Sequence, residues 1–67
     1  MKEITKDMLI GNILDEDRGT AVFFLEMGMH WLGCPASRGE TVEEACAVHG
    51  VNVDELVNKI NEYLASK

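Results

Sequence analysis

Residues 41–64 read TVEEACAVHGVNVDELVNKINEYL, and this stretch decides the fold because it specifies two consecutive helices. Thr41 followed three residues later by Glu44 matches a capping box, in which each residue satisfies a backbone N–H of the other. The first of the two helices therefore begins after Thr41. Gly50 is the residue at which it is expected to stop.

The second helix of this pair begins after Asn52, whose side chain is a favourable N-cap. Apolar residues in both helices recur at helical spacing, which predicts that each helix buries one face. The predicted apolar stripes are Val42, Ala45, Cys46 and His49 in the first helix, and Val53, Leu56, Val57, Ile60 and Leu64 in the second.

Two further helices are predicted upstream of this pair. Thr5 is the expected cap of the first, which Gly11 weakens by about 1 kcal/mol relative to alanine, so this helix is predicted to be short. Residues 15–19 then form a polar turn. Thr20 is the expected cap of the second helix, which Gly28 ends. This second helix is apolar over more than half its circumference, which is typical of a helix at the centre of a core.

The predicted fold is therefore all-α: residues 1–67 form one domain, a compact bundle of four short helices. A structured loop joins helices two and three. The residues predicted to build the core are Leu9, Ile13, Phe24, Leu25, Val42, Ala45, Val53, Leu56, Val57 and Ile60.

Composition excludes several classes of function. The 67 residues carry a formal net charge of -6 with no basic cluster, which argues against binding to nucleic acid or to an anionic membrane. Residues 1–7 lack the apolar core of a signal peptide, so we expect a cytoplasmic protein without a disulfide framework. A domain this small is only marginally stable alone, so a protein partner is expected and a homodimer is compatible with the sequence.

The loop between helices two and three concentrates the chemistry, because it holds the single tryptophan, the single proline and one of two cysteines. Cys34 directly precedes Pro35, a residue favoured at the first position of a helix. A single turn over residues 35–38, closed by Gly39, would aim free N–H groups at the thiol and favour the thiolate, and Arg38 would add positive charge. The alternative is that Cys34 is an inert capping residue in a tight turn.

The candidate site therefore consists of Cys34 as a reactive thiol, surrounded by His30, Trp31, Pro35, Ser37 and Arg38 as candidate binding residues. Trp31 either covers the edge of the core or forms an exposed aromatic anchor for a partner.

Cys46 is expected to pack in the core, with a Cys34–Cys46 disulfide as the alternative. Together with His30 and His49, the two cysteines have the ligand count of a zinc site but not its spacing, so neither a metal nor a cofactor is predicted. A position at the end of a helix explains His49 as a favourable partner of the helix dipole.

Three segments, ITKDM at 4–8, GMHxLGCPASxGET at 28–41 (x marking positions 31 and 38, which do not carry the resemblance) and EACAVHG at 44–50, closely resemble the hybrid-cluster-protein-associated redox disulfide domain, a small prokaryotic family of unknown function. The resemblance implies a small helical domain with a Cys-x-x-Cys motif in the loop. Cys34 matches the second cysteine of that motif, and Trp31 stands in place of the first.

Two functions remain open at this point. The chain is either a thiol-based redox or metal-cluster accessory protein acting through Cys34, or a non-enzymatic interaction module that has lost the redox pair. The chemistry of the Cys34 thiol distinguishes them. No set of residues predicts a conventional enzyme active site.

Overall fold

A computed structural model describes residues 3–29 and 35–67 of the chain. In this part of the chain the only β-type pairing is an isolated bridge between Leu9 and Thr41, and the predicted all-α fold is confirmed. The helices are α1 (Ile10–Glu16), α2 (Ala21–Glu26), α3 (Pro35–Arg38), α4 (Val42–His49) and α5 (Val53–Ala65), with a 3₁₀ turn at Arg18–Thr20 directly before α2. None of these helices combines the length and apolarity needed to cross a bilayer.

The starts of α4 and α5 follow the predicted caps. Thr41 Oγ1 accepts the Glu44 N–H at 3.1 Å, and the Glu44 carboxylate accepts the Thr41 N–H at 2.9 Å, which completes the capping box. Asn52 Oδ1 accepts the Glu55 N–H at 3.0 Å. Both helix starts are thus specified by local side chains.

The N-terminal segment satisfies the remaining amides at the start of α4. Val42 and Glu43 have no intrahelical acceptor, because the first N–H groups of a helix never do. Their N–H groups donate to the carbonyls of Met8 and Lys6, at 3.1 and 3.0 Å. The segment before α1 is therefore bound along its backbone to α4, a contact that no local sequence pattern indicates.

This binding explains why the predicted start of the first helix is wrong. Thr5 caps no helix; its carbonyl accepts the Met8 N–H at 3.2 Å in a turn. The first helix begins at Ile10, after Leu9, and the Ile10 N–H donates to the Glu40 carbonyl at 2.9 Å. Hydrogen bonds to distant residues have replaced the local cap.

The polar turn predicted at residues 15–19 is replaced by the end of α1 and the 3₁₀ turn. Asp17 organises this region, because its Oδ1 accepts from the Gly19 N–H at 2.8 Å and the Tyr63 hydroxyl at 3.0 Å. Its Oδ2 lies 2.9 Å from Lys67 Nζ. The cluster therefore attaches the end of α5 to the turn before α2.

The Asp17 cluster predicts a specific acid sensitivity. Lys67, the Gly19 N–H and the Tyr63 hydroxyl lower the pKa of Asp17. Its stabilising contribution is fully present above the ordinary aspartate pKa of about 3.9 and is lost as pH falls through the lower folded value. We expect Asp17→Asn to flatten the acid side of the melting-temperature profile. Asp7→Asn serves as the control, because Asp7 is exposed and takes no part in the Asp17 cluster. An equal effect of both variants would contradict this role.

Helix α2 is a surface helix rather than the predicted centre of the core. Phe24 is completely buried, whereas Leu25 and Val22 are each 49% exposed. Thr20 occupies the predicted N-cap position, but its buried hydroxyl donates to the carbonyl of Asp17 instead of capping α2. Ala21 and Phe23 of this short helix are only partly buried against the core.

The core combines predicted and unpredicted residues. Leu9 (37% exposed) and Leu25 were wrongly assigned to it, while Val53 and Val57 pack against it partly buried. The other six predicted core residues are confirmed as buried. The buried apolar side chains of the described residues are Ile4, Ile10, Ile13, Leu14, Phe24, Met29, Val42, Ala45, Cys46, Leu56 and Ile60.

A two-way hydrogen bond joins the N-terminal segment to the last helix. The Ile4 N–H donates to Asn61 Oδ1 at 2.7 Å, and Asn61 Nδ2 donates to the Ile4 carbonyl at 3.1 Å. One side-chain amide thus satisfies both backbone groups of Ile4, whose side chain is buried. We call this pair of hydrogen bonds the clasp between Ile4 and Asn61. It covers the core at the side where α5 contacts the N-terminal segment.

Candidate functional site

The candidate site residues fall into two groups in the structure. Pro35, Ser37 and Arg38 belong to α3, the single turn that follows the central loop. His30, Trp31 and Cys34 lie outside the described residues. The assignments of Cys34 as a reactive thiol and of His30 and Trp31 as binding residues therefore stay predictions.

The fold fixes the flank of residues 30–34 on the N-terminal side. Gly28 has a φ of +113°, which side-chain-bearing residues rarely adopt, and it ends α2 as predicted. Met29 then turns into the core, where it is buried, and its N–H donates to the Phe24 carbonyl at 3.2 Å. The chain therefore leaves α2 from a defined point.

The flank on the C-terminal side is the predicted helical turn. Pro35 is its first residue and is exposed, and the Gly39 N–H closes the turn onto the Pro35 carbonyl at 3.0 Å. The Glu40 N–H follows by donating to the carbonyl of half-buried Ser37 at 3.3 Å. The predicted turn over residues 35–38 and its closure by Gly39 are confirmed.

A close backbone approach holds α3 against α1. A Cβ added to Gly11 would lie 2.9 Å from the Cβ of Arg38 and 3.0 Å from the Arg38 carbonyl oxygen. Contacts this short require the absence of a side chain at position 11. A glycine inside a helical pattern is the sequence signal for such a contact, since it weakens the helix and needs a packing reason.

Arg38 is engaged with α1. Its Nη2 lies 2.7 Å from Asp15 Oδ1 and 3.3 Å from the Gly11 carbonyl oxygen. Asp15 is mostly exposed, so the pair contributes at most about 1 kcal/mol to stability. Its main effect is to orient α3, and the guanidinium is directed at the carboxylate of α1.

Cys46 is a core residue, as predicted. Its side chain is 1% exposed on the inner face of α4, and its thiol is free. Burial raises the pKa of the Cys46 thiol, because the thiolate is poorly solvated there. Cys46 is therefore a poor nucleophile in the folded protein.

His49 departs from the predicted stripe, because it is exposed at the end of α4. A Cβ on Gly28 would lie 3.3 Å from His49 Nδ1, so the imidazole lies against the end of α2, beside the start of the loop. Within residues 3–29 and 35–67, no group of three or more His, Cys, Asp or Glu side chains could hold a metal ion.

A groove between α2 and α5 was not anticipated from the sequence. It has a volume of about 190 Å³, and its apolar lining comes from Phe23, Met27, Val51 and Leu56. The charged residues that also line it are Glu26, Glu55 and Lys59. The sequence feature that could have indicated this groove is that α2 is apolar over more than half its circumference. A helix that buries a single face needs fewer apolar residues than this.

Comparison with known proteins assigns the chain to a family and supports the fold. Residues 4–57 match the family described as "Domain of unknown function (DUF1858)". The solution NMR structure of a protein from Clostridium thermocellum is similar to this chain, with 56% sequence identity and a TM-score of 0.82. The match covers 96% of this chain and 91% of that one. No curated protein matches the chain significantly.

Proposed function

The chain belongs to the DUF1858 family of domains of unknown function, and from this premise we propose that it is a small thiol-based accessory domain acting through Cys34. The observation that carries the proposal is the burial of Cys46. The chain has only two cysteines, and one of them is enclosed in the core with a raised thiol pKa. Any thiol chemistry of the folded domain therefore falls to Cys34.

The turn that follows Cys34 supports a nucleophilic role. Because α3 begins at Pro35, which has no N–H, the first N–H groups of this turn are those of Ala36 and Ser37, and they have no intrahelical acceptor. Such N–H groups favour a thiolate over a thiol. The close contact with Gly11 and the ion pair with Asp15 hold this turn in place.

The proposed reaction is thiol–disulfide exchange with a partner protein. The Cys34 thiolate attacks one sulfur of a partner disulfide, an S–S bond forms between them, and the second partner sulfur leaves as a thiolate. Trp31 provides no second thiol three residues before Cys34. The mixed disulfide is therefore resolved by a further thiol of the partner, not the one just released, so Cys34 leaves as the thiolate and the partner keeps a rearranged disulfide. A partner metal cluster is the alternative acceptor for the same thiolate.

The second candidate function is a non-enzymatic interaction module with an inert Cys34. The position of Arg38 favours it, because this guanidinium is paired with Asp15 on α1. A cation held by a carboxylate contributes little to lowering the pKa of a neighbouring thiol. The two candidates thus differ in one measurable property, the reactivity of Cys34.

Alkylation of the native protein against pH, with mass spectrometry to assign each site, tests the proposal. Cys34 is expected to react faster than Cys46 and at lower pH, and its own rate profile should lie at lower pH in the native protein than in denaturant, because one pKa unit changes the thiolate fraction about tenfold. The same measurement in denaturant is the control, and there the two rates should converge. Equal native rates, or protection of Cys34 alone, would favour the inert module.

A further inference from the structure

The groove between α2 and α5 is too small for the usual small-molecule ligand. Its volume of about 190 Å³ lies below the range of about 300–1,000 Å³ that is typical of ligand and cofactor pockets. A space of this size accommodates one large side chain of another protein. The groove is therefore better suited to a peptide segment than to a metabolite.

The lining of the groove specifies what kind of side chain would enter it. Its apolar lining comes from Phe23 of α2, from Met27 directly after α2, and from Val51 and Leu56. The thioether of methionine is soft and flexible, which lets such a surface adapt to different apolar partners. Val22, half exposed one helical turn before Glu26, extends the apolar surface along α2.

The charged groups of the groove favour a cationic neighbour. Glu26 and Glu55 supply two carboxylates, against the single ammonium of Lys59. Within the described residues, neither carboxylate is in an ion pair, and Lys59 is not paired with either. Two unpaired carboxylates beside an apolar depression form a surface that is complementary to a basic amphipathic segment.

The net charge also bears on the choice between a partner and a second copy of the chain. Each chain carries a formal charge of -6, so two copies repel each other at long range. We infer that the α2–α5 groove docks a basic amphipathic segment of a partner protein, with one large apolar side chain in the groove and lysine or arginine beside Glu26 and Glu55. This interaction is independent of the chemistry of Cys34.

The test uses labelled synthetic peptides and the full chain. One peptide has leucine and lysine at helical spacing, one has glutamate in place of every lysine, and one has serine in place of every leucine. The leucine–lysine peptide is expected to bind and to shift the backbone amide resonances of Met27, Val51 and Glu55. The other two are expected to bind at least about tenfold more weakly, because each lacks one of the two interactions.

Charge-reversal variants separate the groove from general electrostatic attraction. Glu26→Lys with Glu55→Lys should weaken binding of the leucine–lysine peptide roughly tenfold. Glu3→Lys with Asp7→Lys makes the same change in net charge at two exposed side chains outside the groove, and it should have a much smaller effect. Circular dichroism verifies that both variants fold.

Three outcomes would overturn the inference. The first is equal weakening by both double variants, which would indicate non-specific attraction. The second is that the glutamate or serine peptide binds as tightly as the leucine–lysine peptide. The third is that the amide shifts of the groove follow protein concentration without peptide, which would identify a second copy as the occupant.

Discussion

Phe24→Ala is expected to lower the free energy of unfolding by about 3–5 kcal/mol. Phe24 is completely buried and is the largest fully buried side chain of the described residues. Its removal leaves a cavity that the surrounding core is expected to close only in part. The total stability of such a small core rarely exceeds about 3–5 kcal/mol, so the variant should be largely unfolded at room temperature. Urea denaturation followed by circular dichroism measures the change.

Leu25→Ala is the matched control, because it removes a neighbouring apolar side chain that is 49% exposed. Its expected cost is below about 1 kcal/mol, since surface side chains contribute little. Phe24→Leu, a smaller change in volume, keeps the comparison measurable if the alanine variant does not fold. A cost of Leu25→Ala comparable to that of Phe24→Ala would contradict the observed orientation of α2.

Gly11→Ala is expected to lower the free energy of unfolding by about 1–2 kcal/mol, although alanine is the better helix former. Helix propensity alone would stabilise the variant by about 1 kcal/mol. The added Cβ, however, would meet the backbone of Arg38 at 3.0 Å, and overpacking of this kind costs about 1–3 kcal/mol or more. Backbone atoms cannot rotate away as a side-chain end can, so α3 must move. Thermal melts measure the net effect.

Asn12→Ala is the control in the same helix, and it is expected to raise the free energy of unfolding rather than lower it. Asn12 is exposed, so alanine there gains helix propensity, a few tenths of a kcal/mol, without a steric cost. Gly11→Ala should also change the alkylation rate of Cys34, because α3 begins directly after that residue. Stabilisation by both substitutions would show that α3 can move away from α1 at little cost, and that its packing does not require a glycine at position 11.

The elements that sequence reasoning predicts well are those specified by neighbouring residues. The capping box of Thr41 and Glu44, the Asn52 cap, the positive φ of Gly28 and the turn that begins at Pro35 all appear as expected. Each depends on a hydrogen bond or steric preference that acts within a few residues. Such interactions do not require knowledge of the rest of the fold.

The errors arise where distant residues decide. The N-cap expected at Thr5 fails because the carbonyls of Lys6 and Met8 bind the first amides of α4. The pattern around Leu9 and Leu25 indicated burial, but helical periodicity does not define which part of a broad apolar face points inward. The burial of Ile4 depends equally on a partner far along the chain.

The same distinction applies to the candidate site: its local turn is predictable from the sequence, and its contacts between distant elements are not. Pro35 and Gly39 specify the turn after Cys34, because their backbone preferences are local. The ion pair between Arg38 and Asp15 joins two helices, and its existence follows from the fold rather than from either residue. The groove between α2 and α5 has the same origin, since its two walls are separated in sequence.

The clasp between Ile4 and Asn61 has a consequence for synthesis on the ribosome. The two residues are 57 positions apart, so Asn61, which accepts the Ile4 N–H, is translated long after Ile4. Until α5 emerges, Ile4 keeps its hydrogen bonds to water and the nascent chain lacks the Leu56 and Ile60 side chains of the core. We therefore expect the nascent chain to stay incompletely folded and sensitive to protease until α5 is released, and the domain then to fold as one unit.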